Sequence, residues 1–270
     1  MDETQKRLLT DEAWQAIAPA FHATKPRRGR PSLCDRQFFD AVRWILRTGA
    51  PWRDLPPTLG RWQSAYRRFA RWAKCGRWQT FWQALDAIEP KTFSGQKRLC
   101  IDSTSVRVHA HGAPPRERNA QERVGRSRGG RTSKVHLACS GSASRPWRAQ
   151  RAVLSAGHAH DITAVKELLG RKPTIVSSVV ADKAYDASWL RSALSQKQLR
   201  ATIPSRSRRL PWTRKDAREY RHRGLVERAF ARIKQFRRTA SRFDRLARHF
   251  GAFVQIALAL SLVGASALPR

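Results

Sequence analysis

Two aspartates each stand directly after a short apolar run: Asp102 follows Leu99-Cys100-Ile101, and Asp182 follows Val179-Val180-Ala181. If those runs are strands, the carboxylates sit at exposed strand ends, where the ligands of α/β sheets gather. A third acid, Glu227, lies among Arg and Lys near the start of a helix expected from Leu225 to about His249. Taken singly, a strand-end Asp also reads as a turn or cap residue, and a helical Glu among arginines as a surface ion pair. Together the three suit work at a phosphodiester. Hard oxygen ligands that hold two magnesium ions roughly 4 Å apart activate the attacking oxygen and stabilise the leaving one.

The spacing around Glu227 adds to this. Tyr220, Arg223, Glu227 and Lys234 form Y-(2)-R-(3)-E-(6)-K without a gap. On a continuous helix, offsets of four and seven put Arg223, Glu227 and Lys234 on one face. A break at Gly224 would instead leave Tyr220 and Arg223 in the loop that enters the helix. The competing account is a solvated ladder of charges.

The chain around these residues has 270 residues, room for two ordinary domains or one large one, and needs no disulfide staples. Fifty-four Lys and Arg against twenty Asp and Glu leave a formal charge of +34. Such a chain seeks polyanions, nucleic acid first. A hydrophobic content of 41% with ten Trp is too apolar for a disordered basic tail. Cys34, Cys75, Cys100 and Cys139 show neither a C-x-x-C pair nor zinc spacing, so reduced thiols are expected. The stretch MDETQKRLLTDEAWQ lacks the apolar core of a secretory signal. The run Gly251 to Leu268, interrupted by Gln255, Ser261, Gly264 and Ser266, reads as a buried helix and not a membrane span. A cytoplasmic, nucleoid-associated protein without membrane contact is the expectation.

Charge and texture divide the chain near residue 90. Residues 1 to 90 carry 16 basic and 9 acidic side chains and seven of the ten Trp, whereas residues 91 to 270 carry 38 basic and 11 acidic. In the first segment Phe38, Val42, Ile45 and Leu46, then Trp62, Tyr66, Phe69 and Ala73, recur at helical spacing. A small all-helical domain follows. A helix from about Asp35 to Arg47, a turn through Gly49 to Gly60, and a helix from Trp62 suit a helix-turn-helix-like arrangement with a long linker. The aromatic stripe belongs to its core, leaving Arg61, Arg67, Arg68 and Arg71 outward for DNA. Pro26 and Pro31 mark a basic loop over Lys25 to Pro31.

Beyond Pro90 the texture turns β-rich: Leu99 to His109, Thr132 to Ser140, Arg148 to Ser155 and Ile175 to Asp182 read as strands. Helices are expected from an Asp161 cap to Leu169 and from Ser188 to about Leu199, before a short strand at Ala201 to Pro204. That order gives an α+β fold with an antiparallel meander and a mixed sheet. Gly112 to Arg131 reads as a mobile, phosphate-seeking loop carrying Arg126, Arg128 and Arg131.

Lesser candidates surround the three acids. His158 and His160 have the H-x-H spacing of a transition-metal site, although a loop ending in the Asp161 cap is the plainer account. His109 and His111 follow Asp102 closely enough to approach a scissile phosphate, or form an exposed strand-end pair. Lys183 and Tyr185 could touch DNA, and Asp186 reads as a turn or cap residue.

Six motifs in one order resemble the DDE transposases of bacterial insertion sequences, specifically the insertion-sequence-five group. They are GAPWRDLP (Gly49 to Pro56) with WQSAYRRFARW (Trp62 to Trp72), IDST (Ile101 to Thr104), GRSRGG (Gly125 to Gly130), GHAHD (Gly157 to Asp161), ADKAYD (Ala181 to Asp186) and ERAFARIKQFRRTASRFD (Glu227 to Asp244). The resemblance covers essentially the whole chain and departs little: Ala184 stands where glycine is also frequent. It implies a ribonuclease H-like catalytic domain over residues 91–270, behind a DNA-end-binding domain over 1–90. It also implies Asp102, Asp182 and Glu227 as the metal-binding triad for Mg2+, with Mn2+ able to substitute, and Tyr220, Arg223 and Lys234 as its accompanying signature. Element ends and target DNA are the implied partners, with a homodimer or higher homo-oligomer in the DNA complex. Two other classes share the same charge: a catalytically silent DNA-binding repressor or host-adopted derivative, and a nuclease acting on RNA or branched DNA.

Overall fold

The computed structural model describes residues 9–24, 34–88, 98–141, 147–170, 176–207 and 211–263. In chain order the helices are α1 (Asp11–Ala23), α2 (Asp35–Thr48), α3 (Trp62–Lys74), α4 (Arg77–Ile88), α5 (Val165–Leu169), α6 (Ser188–Gln196), α7 (Arg214–Tyr220), α8 (Gly224–Ile233), α9 (Arg237–Ala240) and α10 (Ala247–Leu262). The strands are β1 (Arg98–Val108), β2 (Gly125–Ser127), β3 (Gly130–Ser140), β4 (Arg148–Ala156), β5 (Ser178–Val180), β6 (Arg200–Thr202) and β7 (Ser241–Arg242). The chain separates into two compact units, one of residues 1–91, 108–114 and 232–270, the other of 92–107 and 115–231.

The first unit is helical because its apolar residues repeat every three to four positions. Along α2, Phe38, Phe39, Val42, Ile45 and Leu46 are buried, and Gly49 ends the helix in the left-handed region at φ 70°, its N–H bonding the Ile45 carbonyl. On α3 the buried stripe is Ala65, Phe69 and Trp72; Trp62 and Tyr66 are half-buried. Ring contacts knit these helices together: Phe21 lies 4.9 Å from Trp72, and Phe69 stacks 4.5 Å from Phe253 of α10. The turn between α2 and α3 holds two short 3-10 segments, Trp52–Asp54 and Pro57–Leu59, and is longer than a tight helix-turn-helix turn.

The C-terminal segment departs from the sequence expectation. In place of one helix from Leu225 to His249, the chain forms α8, a turn, α9, β7 and a loop before α10. Phe236 is extended and buried, and the Thr239 hydroxyl donates to the Ile233 and Phe236 carbonyls, closing off the end of α8. Arg238 then turns inward. Its guanidinium makes two bonds to the Asp244 carboxylate, at 3.1 and 3.0 Å, and a third to the Ala50 carbonyl. Burying that ion pair and Phe236 outweighs the helical continuity the sequence suggests. Residues 232–263, which the sequence groups with 91–231, thus join α1–α4 in one core. The apolar run contributes α10, buried nearly all round; residues 264–268 of that run lie outside the described residues. No helix among the described residues is long and apolar enough to cross a membrane.

The second unit is a mixed sheet. β1 pairs antiparallel with β3, and β3 in turn with β2 and β4, giving the expected meander. On its other edge β1 pairs parallel with β5, and β5 with β6. The spatial order is therefore β4–β3–β1–β5–β6, with β2 extending the β4 edge. This is the ribonuclease H-like arrangement. Leu99 and Ile101 of β1, Ala138 of β3, Val179 of β5, and Leu168, Leu190 and Leu194 of α5 and α6 form its core.

Two sequence expectations change here. Residues 112–131, expected as a mobile loop, contain a 3-10 turn at Arg116–Arg118 and the β2–β3 hairpin. Asp161 does not cap a helix. Its carboxylate instead takes the Lys134 ammonium at 2.7 Å, and Lys134 also donates to the Ala159 carbonyl.

Beside that pair, His136 is fully buried, with Nε2 2.7 Å from the Ser155 hydroxyl. Burial lowers its pKa from 6.5 to about 4. A histidine held neutral in the fold stabilises it fully above its unfolded pKa, and that contribution is lost as pH falls from about 6.5 towards about 4. Urea unfolding should therefore show on the order of 3 kcal/mol less stability at pH 4 than at pH 7 from this group alone. The test is His136→Gln, which should flatten that pH dependence; an unchanged profile would place the loss in other groups.

Candidate active site

β1 positions the site through alternate residues. Arg98, Cys100 and Asp102 lie on one face of the strand, and each holds the segment that joins α7 to α8. Arg98 makes a two-bond clamp on Glu219, at 2.8 and 3.0 Å, and its guanidinium holds the Glu219 carboxyl below the usual range. The Cys100 thiol, pushed up to about 12 by burial, stays protonated and donates to the His222 carbonyl at 3.2 Å. Asp102 Oδ2 accepts from Arg223 at 2.6 Å. Three contacts over five residues thus fix where Arg223 and the start of α8 stand.

β5 brings the second acid. Its register pairs Leu99 with Val179 and Cys100 with Val180. β5 ends at Val180, but its register carried on by two residues points Asp182 towards Asp102, and the charge of Asp182 is felt at Asp102. Asp182 Oδ1 accepts the Ala184 N–H at 2.8 Å and caps the short 3-10 turn Lys183–Tyr185. Its other oxygen makes no hydrogen bond among the described residues. Asp102 is almost buried, with one oxygen taken by the Ser103 N–H. Burial raises its carboxyl above the usual range, Ser103 and Arg223 oppose the rise, and Asp182 adds to it. Two carboxylates so placed leave part of their charge unmet.

Glu227 reaches Arg223 from α8. It is mostly exposed and lies 3.2 Å from Arg223, one turn back along the helix, so a single guanidinium touches both Asp102 and Glu227. α7, the 3-10 turn Arg221–Arg223 and α8 follow each other directly, and Gly224 keeps helical angles, so Arg223 and Glu227 do form an i,i+4 pair. Tyr220 packs edge-on to Trp212, ring centres 5.6 Å apart. Lys234 falls in the turn after Ile233, past the end of α8 and in the other compact unit, so the common helical face does not extend to it.

The other candidates sort as follows. Tyr185 is fully buried in the sheet core and cannot reach DNA, while Lys183 is exposed. Asp186 is committed to structure, bonding Arg191 of α6 at 2.9 Å and the Arg206 N–H at 2.8 Å. His158 and His160 are exposed, and no cluster of three or more His, Cys, Asp or Glu spaced to hold a metal ion occurs among the described residues. His109, in the first unit, packs between His111, at 4.9 Å, and Phe243, at 5.0 Å. Cys34, Cys75, Cys100 and Cys139 are all free thiols.

Among the arginines, Arg61, Arg67 and Arg71 are exposed, and Arg61 and Arg71 rim a groove of about 220 Å³ between α2 and α3. Arg68 does not face outward. It binds Asp35 at 2.7 Å and lies 4.2 Å over the Phe38 ring. Arg126 and Arg128 are exposed, and Arg131 is half-buried. The tethers from Arg98 and Cys100, and Trp212 against Tyr220, had no signal in the sequence because each joins residues that only the fold brings together.

The fold is that of a ribonuclease H-like domain. Residues 93–262 match the family described as "Transposase DDE domain", and residues 9–82 match a "transposase of IS4/5 family". The chain belongs to the DDE transposases of the IS4/5 group. It is 38% identical over 109 residues to "Uncharacterized protein y4sN" of Sinorhizobium fredii, covering 40% of this chain and 82% of that one. It is 32% identical over 113 residues to the "Insertion element IS402 uncharacterized 16.2 kDa protein" of Burkholderia cepacia, covering 38% and 75%. Among solved structures it resembles a piggyBac transposase in a synaptic complex with hairpin DNA, at 14% identity and a TM-score of 0.49, over 96% of this chain and 73% of the other.

Proposed function

We propose that the chain recognises the terminal inverted repeats of an insertion element through residues 1–90, and that residues 91–270 cut and join DNA strands. The observation that carries this reading is the placing of Asp102 beside Asp182, with Arg223 gathering Glu227 to them. Two aspartates and a glutamate are hard oxygen donors and Asp182 has an uncommitted oxygen, so their chemistry suits a divalent cation such as Mg2+, with Mn2+ as substitute, although the three side chains as they stand are not spaced to hold one ion. Asp102, Asp182 and Glu227 would hold such an ion, which would supply Lewis-acid activation of the attacking oxygen and charge stabilisation at the leaving one.

The chain's own residues do the rest. Arg223, already beside the acids, steadies a phosphate or screens charge that develops there, and Tyr220 packs beside it; Lys234, off the helical face of Glu227, has no part assigned at the acids. Water attacks the phosphorus at the element end and breaks its bond to the 3′ oxygen, leaving a 3′ hydroxyl and a 5′ phosphate; that hydroxyl then attacks a target phosphate and displaces the target strand's own 3′ hydroxyl. The working form on DNA is a homodimer or higher homo-oligomer, and the protein works in the cytoplasm, on the nucleoid.

Incubating the full chain with end-labelled element DNA and Mg2+, then mapping the breaks, tests this directly. Cuts at the element boundary are the expected result. Tight, end-specific binding without any cut would instead assign the chain to the silent, repressor-like class. In the same assay Arg67→Ala/Arg71→Ala should weaken end binding by roughly tenfold, about 1.4 kcal/mol. Loss of preference for the end over random DNA would place the two arginines at base edges, and a uniform loss at phosphates.

A further inference from the structure

We infer that the β2–β3 hairpin is a phosphate-gripping finger that holds the backbone of the same duplex the acids act upon. It rests on the DNA-handling reading above and adds a second contact to it. β2 and β3 meet through a two-residue turn, Arg128-Gly129, with Ser127 opposite Gly130 and Arg126 directly opposite Arg131. Like charges facing each other across an antiparallel pair destabilise it. Here Arg128 adds a third charge at the tip.

Arg107 of β1, absent from the sequence candidates, adds a fourth. It is exposed, and its guanidinium donates twice to the Gly129 carbonyl, at 3.3 and 3.0 Å, fixing the turn against the sheet. Among the described residues none of Arg107, Arg126, Arg128 and Arg131 forms an ion pair. A fixed hairpin that concentrates three such cations at a cost in stability, with Arg107 on the opposite pleat face (its β3 partner is Thr132) bracing the turn, is organised for an anion.

Register ties the finger to the acids. Asp102 faces Leu137 on β3, and Val106 faces Ser133. Side chains alternate, so Leu137, Val135, Ser133 and Arg131 share one pleat face, and Arg126 shares it through its pairing with Arg131. The Arg126–Arg131 pair therefore lies on the face of the sheet that carries Asp102. Six residues of β3 separate Arg131 from Leu137, roughly 20 Å at the rise of a strand. The partner is double-stranded DNA gripped through its phosphates, without sequence readout; Ser133, Val135 and Leu137, between the finger and Asp102 on that face, are buried, so the duplex meets the finger without lying along the strand.

The test needs no cutting. With the full chain, metal-free, binding to an arbitrary duplex of about 30 base pairs is followed by fluorescence anisotropy across a salt series. Arg126→Ala/Arg131→Ala should make the slope of log K against log salt shallower by about 1.8, and Arg128→Ala by about 0.9, since each lost phosphate contact removes about 0.9. A control, Lys166→Ala/Lys197→Ala, removes the same charge on α5 and just past α6 and should leave the slope unchanged. The thermal midpoint of the hairpin double variant should not fall, because a repulsive pair has gone. Equal losses in hairpin and control variants, or wild-type slopes in all, would overturn the finger while leaving the DNA-handling reading intact. Failure of the wild-type chain to bind duplex DNA at low salt would overturn both.

Discussion

Asp102→Asn, Asp182→Asn and Glu227→Gln should each lower metal-dependent cutting of element-end DNA by at least about a thousandfold, roughly 4 kcal/mol of transition-state stabilisation, while end binding stays within a few fold. Each change removes one carboxylate's charge with almost no change of shape. An amide oxygen at residue 102 can still accept the Ser103 N–H, and one at residue 182 can still cap the turn at Ala184, so the local fold survives. What each variant loses is a hard anionic ligand. Asp186→Asn is the internal control. That carboxylate lies four residues from Asp182 but spends both oxygens on Arg191 and the Arg206 backbone, so its variant should keep cutting within about tenfold, around 1.4 kcal/mol. Strong cutting by any of the three triad variants, or loss in Asp186→Asn as deep as in Asp182→Asn, would redraw the site.

How far the sequence foretells this arrangement depends on the range of the interaction concerned. The strands were legible because Leu99-Cys100-Ile101 and Val179-Val180-Ala181 are buried on both faces, so each run is apolar throughout; the place of the first Asp was not, since β1 runs on to Val108 and Asp102 lies within it, nearly buried and not at an exposed strand end. The i,i+4 relation of Arg223 to Glu227 was legible for the same local reason. The bond from Arg223 to Asp102 was not, because it spans 121 positions and follows from the parallel pairing of β1 with β5 and the tethers at Arg98 and Cys100. The run after Ile233 misled because its composition is helical, while Phe236 and the Arg238–Asp244 pair gain more from burial than a continued helix gains from hydrogen bonds. Arg68 misled likewise: its position on α3 is beside the outward arginines, yet Asp35 and Phe38 lie within reach only after α2 and α3 pack.

Arg223→Gln should produce the second largest effect, and part of it can be read without any reaction. In the wild-type chain this guanidinium meets Asp102 and Glu227, the only cation bonded to either among the described residues. Asp102 is the more buried partner, so removing Arg223 strands a carboxylate that already lies beside Asp182. The cost should exceed the 0–1 kcal/mol of an exposed pair and fall short of the 3–5 kcal/mol of a fully buried one, about 2 kcal/mol near neutral pH. Its sign with pH follows from which form of Asp102 the arginine favours. Arg223 favours the ionised carboxylate, so the deficit should be largest above the carboxylate range and shrink as falling pH protonates Asp102 in wild type and variant alike. Because the lost charge is positive and its neighbours are hard oxygen donors, millimolar Mg2+ should raise the thermal midpoint of Arg223→Gln more than that of the wild-type chain, where the guanidinium competes for the same oxygens. Cutting should fall by about a hundredfold, near 2.7 kcal/mol, since no residue of the same reach replaces the phosphate contact. Unfolding curves for variant and wild type that coincide at every pH, with equal response to Mg2+, would mean that Arg223 neutralises nothing at the acids and acts on DNA alone.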